Sequence, residues 1–354
     1  MSTTILSPLP MEGGFSPNTY SGKSPGSGQG PPYSPNVPVS EQARRKHIAI
    51  AILSSVLAFI MLIVVAFHGY IAWTLAYPYV APLTSNPMEA KNLNYTEFAI
   101  PSMSGKTTVN GWYIPAPSEI ASARTIVFSH GYGANREEPW VPMYDLAGLL
   151  HALNYNIVMF DYGYASPTNK KPATGGFEES QQLLSSIQYA REMGADEIIV
   201  WGFSMGAGTA LQTALQTDLI NAMILDSMFL PDPDTLFHNV TQLVNLPRYP
   251  SLPLLQTLLP LWTGTSFDQI PAEQVKQTSF SIPVYLIHGT ADKKAPVAIA
   301  EAIAEVQSNP LSKTWIVEDG HHEMLYRLHP KEYIQRAAKF LSQVHYQSAV
   351  ASAT

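Results

Sequence analysis

The chain of 354 residues contains no cysteine. That excludes disulfides, thiolate nucleophiles and cysteine-ligated metal sites, and leaves the redox compartment open. Positive charge is also in short supply. Lys and Arg number 20 against 27 Asp and Glu, for a formal net charge of -7, which argues against a nucleic-acid partner. Neither a His-Glu-x-x-His string nor a phosphate-binding glycine loop is present, and His68 and His151 stand apart from other metal-ligating residues. No metal and no cofactor is expected. Internal repeats are absent as well.

What is present falls into three zones. Residues 1–43 begin with a stretch dominated by Pro, Gly and Ser, as in Ser24-Pro25-Gly26-Ser27-Gly28. Such a composition holds too little apolar area to offset its ordering entropy, so a disordered tail is expected. Residues 44–80 form the second zone. Arg44-Arg45-Lys46 precedes Ile48–Phe67, a run of 20 residues without a charge. At about 1.5 Å per residue it spans roughly 30 Å, the hydrocarbon thickness of a bilayer. Tyr70, Trp73, Tyr77 and Tyr79 follow, as in an aromatic belt. The run is longer than the apolar core of a secretory signal and sits behind too long a lead. It is therefore expected to be retained as a single transmembrane helix, with membrane contact over residues 47–78. The basic residues on its N-terminal side predict a cytoplasmic tail and an extracytoplasmic remainder at the cell membrane.

Residues 90–345 alternate between apolar runs and helical periodicity. The runs are Thr125–Phe128, Ile157–Phe160, Ile198–Trp201, Ala222–Leu225, Val284–Ile287 and Trp315–Val317. Leu183, Leu184, Ile187 and Ala190 share a helical face that Gly194 terminates. Pro296 and Pro330 each open a further helix. Continuous apolar strands separated by helices predict an α/β domain, a mostly parallel sheet covered on both faces. Residues 229–280 break the rhythm with many Pro and Leu. The interval is too long for a plain connection, and a small cap insertion is expected there.

The local chemistry centres on Gly202-Phe-Ser204-Met-Gly206, where a strand gives way to a helix. Flanking glycines allow a sharp turn that presents a serine above the sheet, and the helix N-terminus aims free N–H groups at the same spot. Serine needs a base, and the base needs an orienting acid. Asp292 follows the Val284–Ile287 strand, and Asp226 competes with it at the end of another strand. His321 and His322 follow the Trp315–Val317 strand. The oxyanion donors expected are the backbone N–H of Met205 and that of Tyr132, in the loop Ser129-His-Gly-Tyr-Gly133.

Taken together these segments resemble the α/β-hydrolase superfamily, in particular its serine aminopeptidase-like and monoacylglycerol lipase-like esterase branch. The resemblance spans about residues 95–345. It rests on Val109–Pro115, Phe128-Ser-His-Gly-Tyr-Gly133, Phe160-Asp-Tyr-Gly163, Gly202-Phe-Ser-Met-Gly206 and Ile287-His-Gly-Thr-Ala-Asp292 in that order. It implies an α/β-hydrolase fold preceded by one transmembrane helix, with Ser204, Asp292 and His322 as a triad. A register shifted by one residue would select His321 instead. The family's D-x-R-G-x-G-x-S turn after the fourth strand is replaced here by Asp161-Tyr-Gly-Tyr-Ala-Ser166, without arginine. The expected function is hydrolysis of a carboxylic ester or related acyl compound, lipid-like in view of the apolar cap. A peptidase or amidase of the same fold and a non-catalytic binding module are the alternatives.

Overall fold

Alternation of apolar side chains decides the architecture. In the computed structural model, which describes residues 40–117 and 122–353, eight strands form one sheet in the order β1-β2-β4-β3-β5-β6-β7-β8. They are β1 (Thr96–Pro101), β2 (Thr108–Ile114), β3 (Arg124–Ser129), β4 (Asn156–Asp161), β5 (Glu197–Phe203), β6 (Ala222–Asp226), β7 (Val284–Gly289) and β8 (Lys313–Val317). β2 pairs antiparallel with both β1 and β4, and every other pairing is parallel. Side chains alternate across the sheet, so β3 sends Val127 into one core and Ile126 and Phe128 into the other. Leu183, Ile187, Ala210 and Ile303 close the first core from helices Phe177–Glu192, Met205–Ala214 and Val297–Val306. Leu146, Leu150, Tyr333 and Phe340 close the second from helices Met143–Ala152 and Pro330–Ala353.

β1 and β2 were not foreseen as strands. Their burial is irregular, and β1 ends in Pro101. Gly111 is what lets them pair closely: a Cβ there would sit 2.2 Å from the ring of Phe98. The chain passes from β3 outward to β4 and then returns to β5 on the other side of β3. Loops leaving β3 and β5 therefore diverge, and the crevice between them at the carboxyl ends of the strands is where such sheets bind ligands.

Between β6 and β7 lie the helices Pro233–Leu243, Arg248–Thr263 and Ala272–Gln277. Asp232 caps the first by accepting from Thr235 N–H at 2.8 Å and also receives Lys276 Nζ at 3.2 Å, joining the two ends of the insertion. Helix Arg248–Thr263 carries Pro253 and Pro260 and is non-helical at Tyr249.

Helix Glu41–Ala76 runs for 36 residues and is long and apolar enough to cross a membrane. It starts within the stretch assigned to the tail, where Arg45 bonds Glu41 one turn back at 2.8 Å. The rest of the tail, residues 1–39, lies outside the described residues. By internal contacts the chain divides within this helix, after Ala58. In the unit that follows, Phe59–Thr354, the last turns of the helix are the buried ones. Ile71 and Ala72 pack with Phe237, Val240, Leu252 and Leu255 of the insertion.

Candidate active site

Ser204 sits between β5 and helix Met205–Ala214 with φ 49° and ψ -120°. This region is unfavourable for a side chain with a Cβ and costs of order 1–3 kcal/mol. The surroundings hold the serine there. Its N–H donates to Asp226 O at 2.9 Å, and its carbonyl accepts from Ala207, Gly208 and Phe229 N–H. The flanking glycines are sterically required. A Cβ at Gly206 would lie 2.1 Å from Ser129 O, and one at Gly202 2.6 Å from Ala207 Cα.

The structure brings three of the residues singled out in the sequence into one chain of hydrogen bonds. Ser204 Oγ and His322 Nε2 are 2.8 Å apart, and His322 Nδ1 and Asp292 Oδ2 are 2.6 Å apart. Asp292 keeps its other oxygen on the N–H groups of Lys294 and Ala295, both at 2.8 Å. A carboxylate so held accepts the Nδ1 proton and leaves Nε2 free to accept from serine. His321 is exposed, and its Nδ1 lies 3.3 Å from Ala291 O, away from Ser204. The competing acid is also accounted for. Asp226 accepts the hydroxyls of Tyr333 at 2.7 Å and Ser227 at 2.8 Å, and burial raises its pKa to about 6.

Tyr132 and Met205 flank the serine. Among the described residues neither backbone N–H donates a hydrogen bond, as an oxyanion site requires before substrate binds. The loop carrying Tyr132 is fixed by buried groups. Burial lowers the pKa of His130 to about 4, so its ring is neutral. Nε2 accepts Tyr162 N–H at 3.0 Å, and Nδ1 donates to Gly131 O. Tyr164 also donates to Gly131 O, at 2.8 Å. The turn that departs from the family pattern is braced from outside: Arg136, from the loop after β3, bonds buried Asp161 at 2.6 Å.

Two carboxyls that the sequence did not reveal lie behind the site. Glu138 Oε2 accepts Gly131 N–H at 2.5 Å, and Glu323 follows His322 in sequence. Both approach the same point, since a Cβ on Gly131 would meet Glu323 Oε1 at 2.5 Å and Glu138 Oε2 at 3.2 Å. Burial raises the pKa of Glu138 to about 8 and that of Glu323 well above the ordinary carboxyl value. At Glu323 the charges of Glu138, Asp226 and Asp292 add to the rise, and Lys294 opposes it. The native state therefore binds protons that the unfolded chain releases. The contribution of Glu138 to stability is fully present below about pH 4.5 and is lost as pH rises through about 8. We expect the thermal midpoint to fall across that window in the wild type and to fall less in Glu138→Gln, which keeps an acceptor for Gly131. Parallel curves for the two proteins would show that Glu138 does not titrate there.

A cavity of about 380 Å³ opens at Ser204 and His322. Phe229, Leu236, Val240, Leu243, Leu259 and Ile270 supply much of its apolar wall, most of them from the insertion. Leu75 of the long N-terminal helix lines it too, a contribution that no sequence pattern foreshadows.

A strained serine, a histidine and a carboxylate at the carboxyl edge of a parallel sheet define the class. The family described as "Alpha/beta hydrolase family" matches residues 126–336, and the chain belongs to it. Among curated proteins, Uncharacterized protein YfhR of Escherichia coli O157:H7 is 26% identical over 274 residues, covering 74% of this chain and 85% of that protein. Human Alpha/beta hydrolase domain-containing protein 17B is 22% identical over 221 residues, covering 62% and 66%. Among solved structures, the Pyrococcus furiosus esterase Pf2001 superposes with a TM-score of 0.61 at 22% identity, over 75% of this chain and 98% of that one. At that identity the likeness establishes the fold.

Proposed function

We propose that the protein is a membrane-anchored serine hydrolase that cleaves a carboxylic ester, or a related acyl compound, through an acyl-enzyme. The observation that carries this reading is the hydrogen-bond chain from Asp292 through His322 to Ser204. In it, Ser204 Oγ attacks the acyl carbon and passes its proton to His322 Nε2. The carbonyl oxygen, now negative, is met by the N–H groups of Met205 and Tyr132. His322 returns the proton to the leaving alkoxide, and Asp292 stabilises the imidazolium between the two transfers. Water then enters by the same route, activated by His322, and releases the acid. An apolar pocket beside the nucleophile favours a hydrophobic acyl group.

The full chain should hydrolyse a short, water-soluble activated ester with an initial burst equal to the enzyme concentration. No turnover across esters and thioesters of varied chain length would contradict the reading. The anchor is supported by the length and hydropathy of helix Glu41–Ala76. Since the chain lacks cysteine, Lys106→Cys gives a single label on an exposed turn of the hydrolase domain. A membrane-impermeant maleimide added to intact cells stripped of any wall should modify it. Modification only after lysis would reverse the proposed orientation.

A further inference from the structure

Helix Glu41–Ala76 is joined to the catalytic domain at the pocket itself. Its last turns lie against the insertion through Ile71 and Ala72. The carbonyl of Leu75 accepts the hydroxyl of Tyr132 at 2.7 Å, and that of Ala76 accepts Ala173 N–H at 2.7 Å. The segment beyond continues the attachment: Ala81 O accepts from Asn135, and Glu137 holds the N–H groups of Thr84 and Ser85. The side chain of Leu75 lines the cavity that holds Ser204. So the residue proposed to supply an oxyanion donor, the pocket wall and the end of the apolar helix form one contact.

This attachment limits how far the pocket can stand from a bilayer. Phe59, Met61, Leu62 and Phe67 are exposed along the apolar part of the helix. From Phe67 to Ile71 the rise is about 6 Å, comparable to the roughly 5–8 Å depth of the interfacial layer on one side of a bilayer. The insertion thus meets the helix within that layer. Its surface is suited to the location. Leu243, Tyr249 and Leu261 are 84%, 81% and 74% exposed, and Trp262 is 43% exposed. Leu243 also lines the cavity. From residue 244 to residue 263 the only ionisable side chains are those of Arg248, paired with Asp234, and Tyr249. A solvent-facing cap would not carry such a neutral, apolar rim. An interfacial one gains from it.

We propose that the cap segment of residues 243–262 is embedded in the interfacial layer of the bilayer crossed by the anchor, and that the pocket draws its acyl chain laterally from that leaflet. The anchor is then a wall of the binding site as well as a tether. The substrate class is an acyl ester of a membrane lipid. This deepens the ester-hydrolase reading above and rests on it for the chemistry.

Two measurements on the full chain in phosphatidylcholine vesicles separate docking from chemistry. For docking, Leu261→Cys and Tyr249→Cys are each labelled with an environment-sensitive dye, with Lys106→Cys as the control. Brominated phosphatidylcholine should quench the dye at 261 and 249 and leave that at 106 unaffected. For lateral uptake, the double variant Leu261→Glu, Trp262→Glu should turn over a long-chain acyl glycerol carried in the vesicles about tenfold more slowly. It should turn over a short soluble ester at the wild-type rate. Lipid-independent dye signals at 261 and 249 overturn the docking, whether the rim is in water or against a second protein chain. So does release of the chain from vesicles by alkaline carbonate. Equal losses on both esters, or no loss on either, overturn lateral uptake. If the wild type cleaves neither ester while the dyes are quenched, the hydrolase reading fails and the docked cap stands.

Discussion

Alanine in place of His322 should lower kcat by about four to six orders of magnitude, whereas alanine in place of His321 should leave it within about tenfold of the wild type. The two rings are adjacent in sequence and differ completely in surroundings. His322 bridges Ser204 and Asp292 at 2.8 and 2.6 Å. The ring of His321 lies against the carbonyl of Ala291, from an exposed position. Without the imidazole, Ser204 has no acceptor for its proton, and what survives is the effect of the oxyanion donors and of binding. Acylation rates measured on both variants at matched thermal midpoints decide the matter. A dead His321→Ala and an active His322→Ala would show that the loop rearranges around substrate.

The second large effect belongs to the acid. Asp292→Asn should reduce kcat about 10⁴-fold, because an amide at that position can donate to Nδ1 and so hold the imidazole in the unproductive tautomer. Asp226→Asn is the informative partner. Asp226 also ends a strand and is buried, but its oxygens are taken by Tyr333 and Ser227. With its pKa raised to about 6 by burial, its replacement should change stability with pH and leave kcat within about tenfold of the wild type. A loss of activity in Asp226→Asn comparable to that in Asp292→Asn, in a folded protein, would mean that the proton inventory of the site includes both carboxyls.

The central strands were legible because a strand buried on both faces is written as an unbroken apolar run, as in Ile198–Trp201. The first two strands were not. Thr96–Pro101 mixes exposed and buried positions, and its pairing depends on Gly111 admitting the ring of Phe98, a contact that no local pattern encodes. Ser204 was legible for a different reason: Gly202 and Gly206 answer to steric limits within a few residues of the serine. Asp292 and the pair His321-His322 could be placed at strand ends, yet choosing between the histidines required the resemblance. A step of one residue in a loop redirects a side chain, and periodicity does not constrain loops. Glu138 and Glu323 were invisible, since distant segments bring them together and each alone reads as an ordinary surface carboxylate. The same holds for Leu75, which belongs by composition to the long apolar helix and by position to the pocket wall.

The most direct test of the account is capture of the acyl group on Ser204. The full chain, mixed with a slowly deacylating activated ester and quenched in acid during the burst, should gain the mass of one acyl group. Peptide mapping should place it on Ser204, and Ser204→Ala should gain none while retaining the wild-type thermal midpoint. An acyl adduct on any other residue, or turnover that persists in Ser204→Ala, would contradict the assignment of the nucleophile.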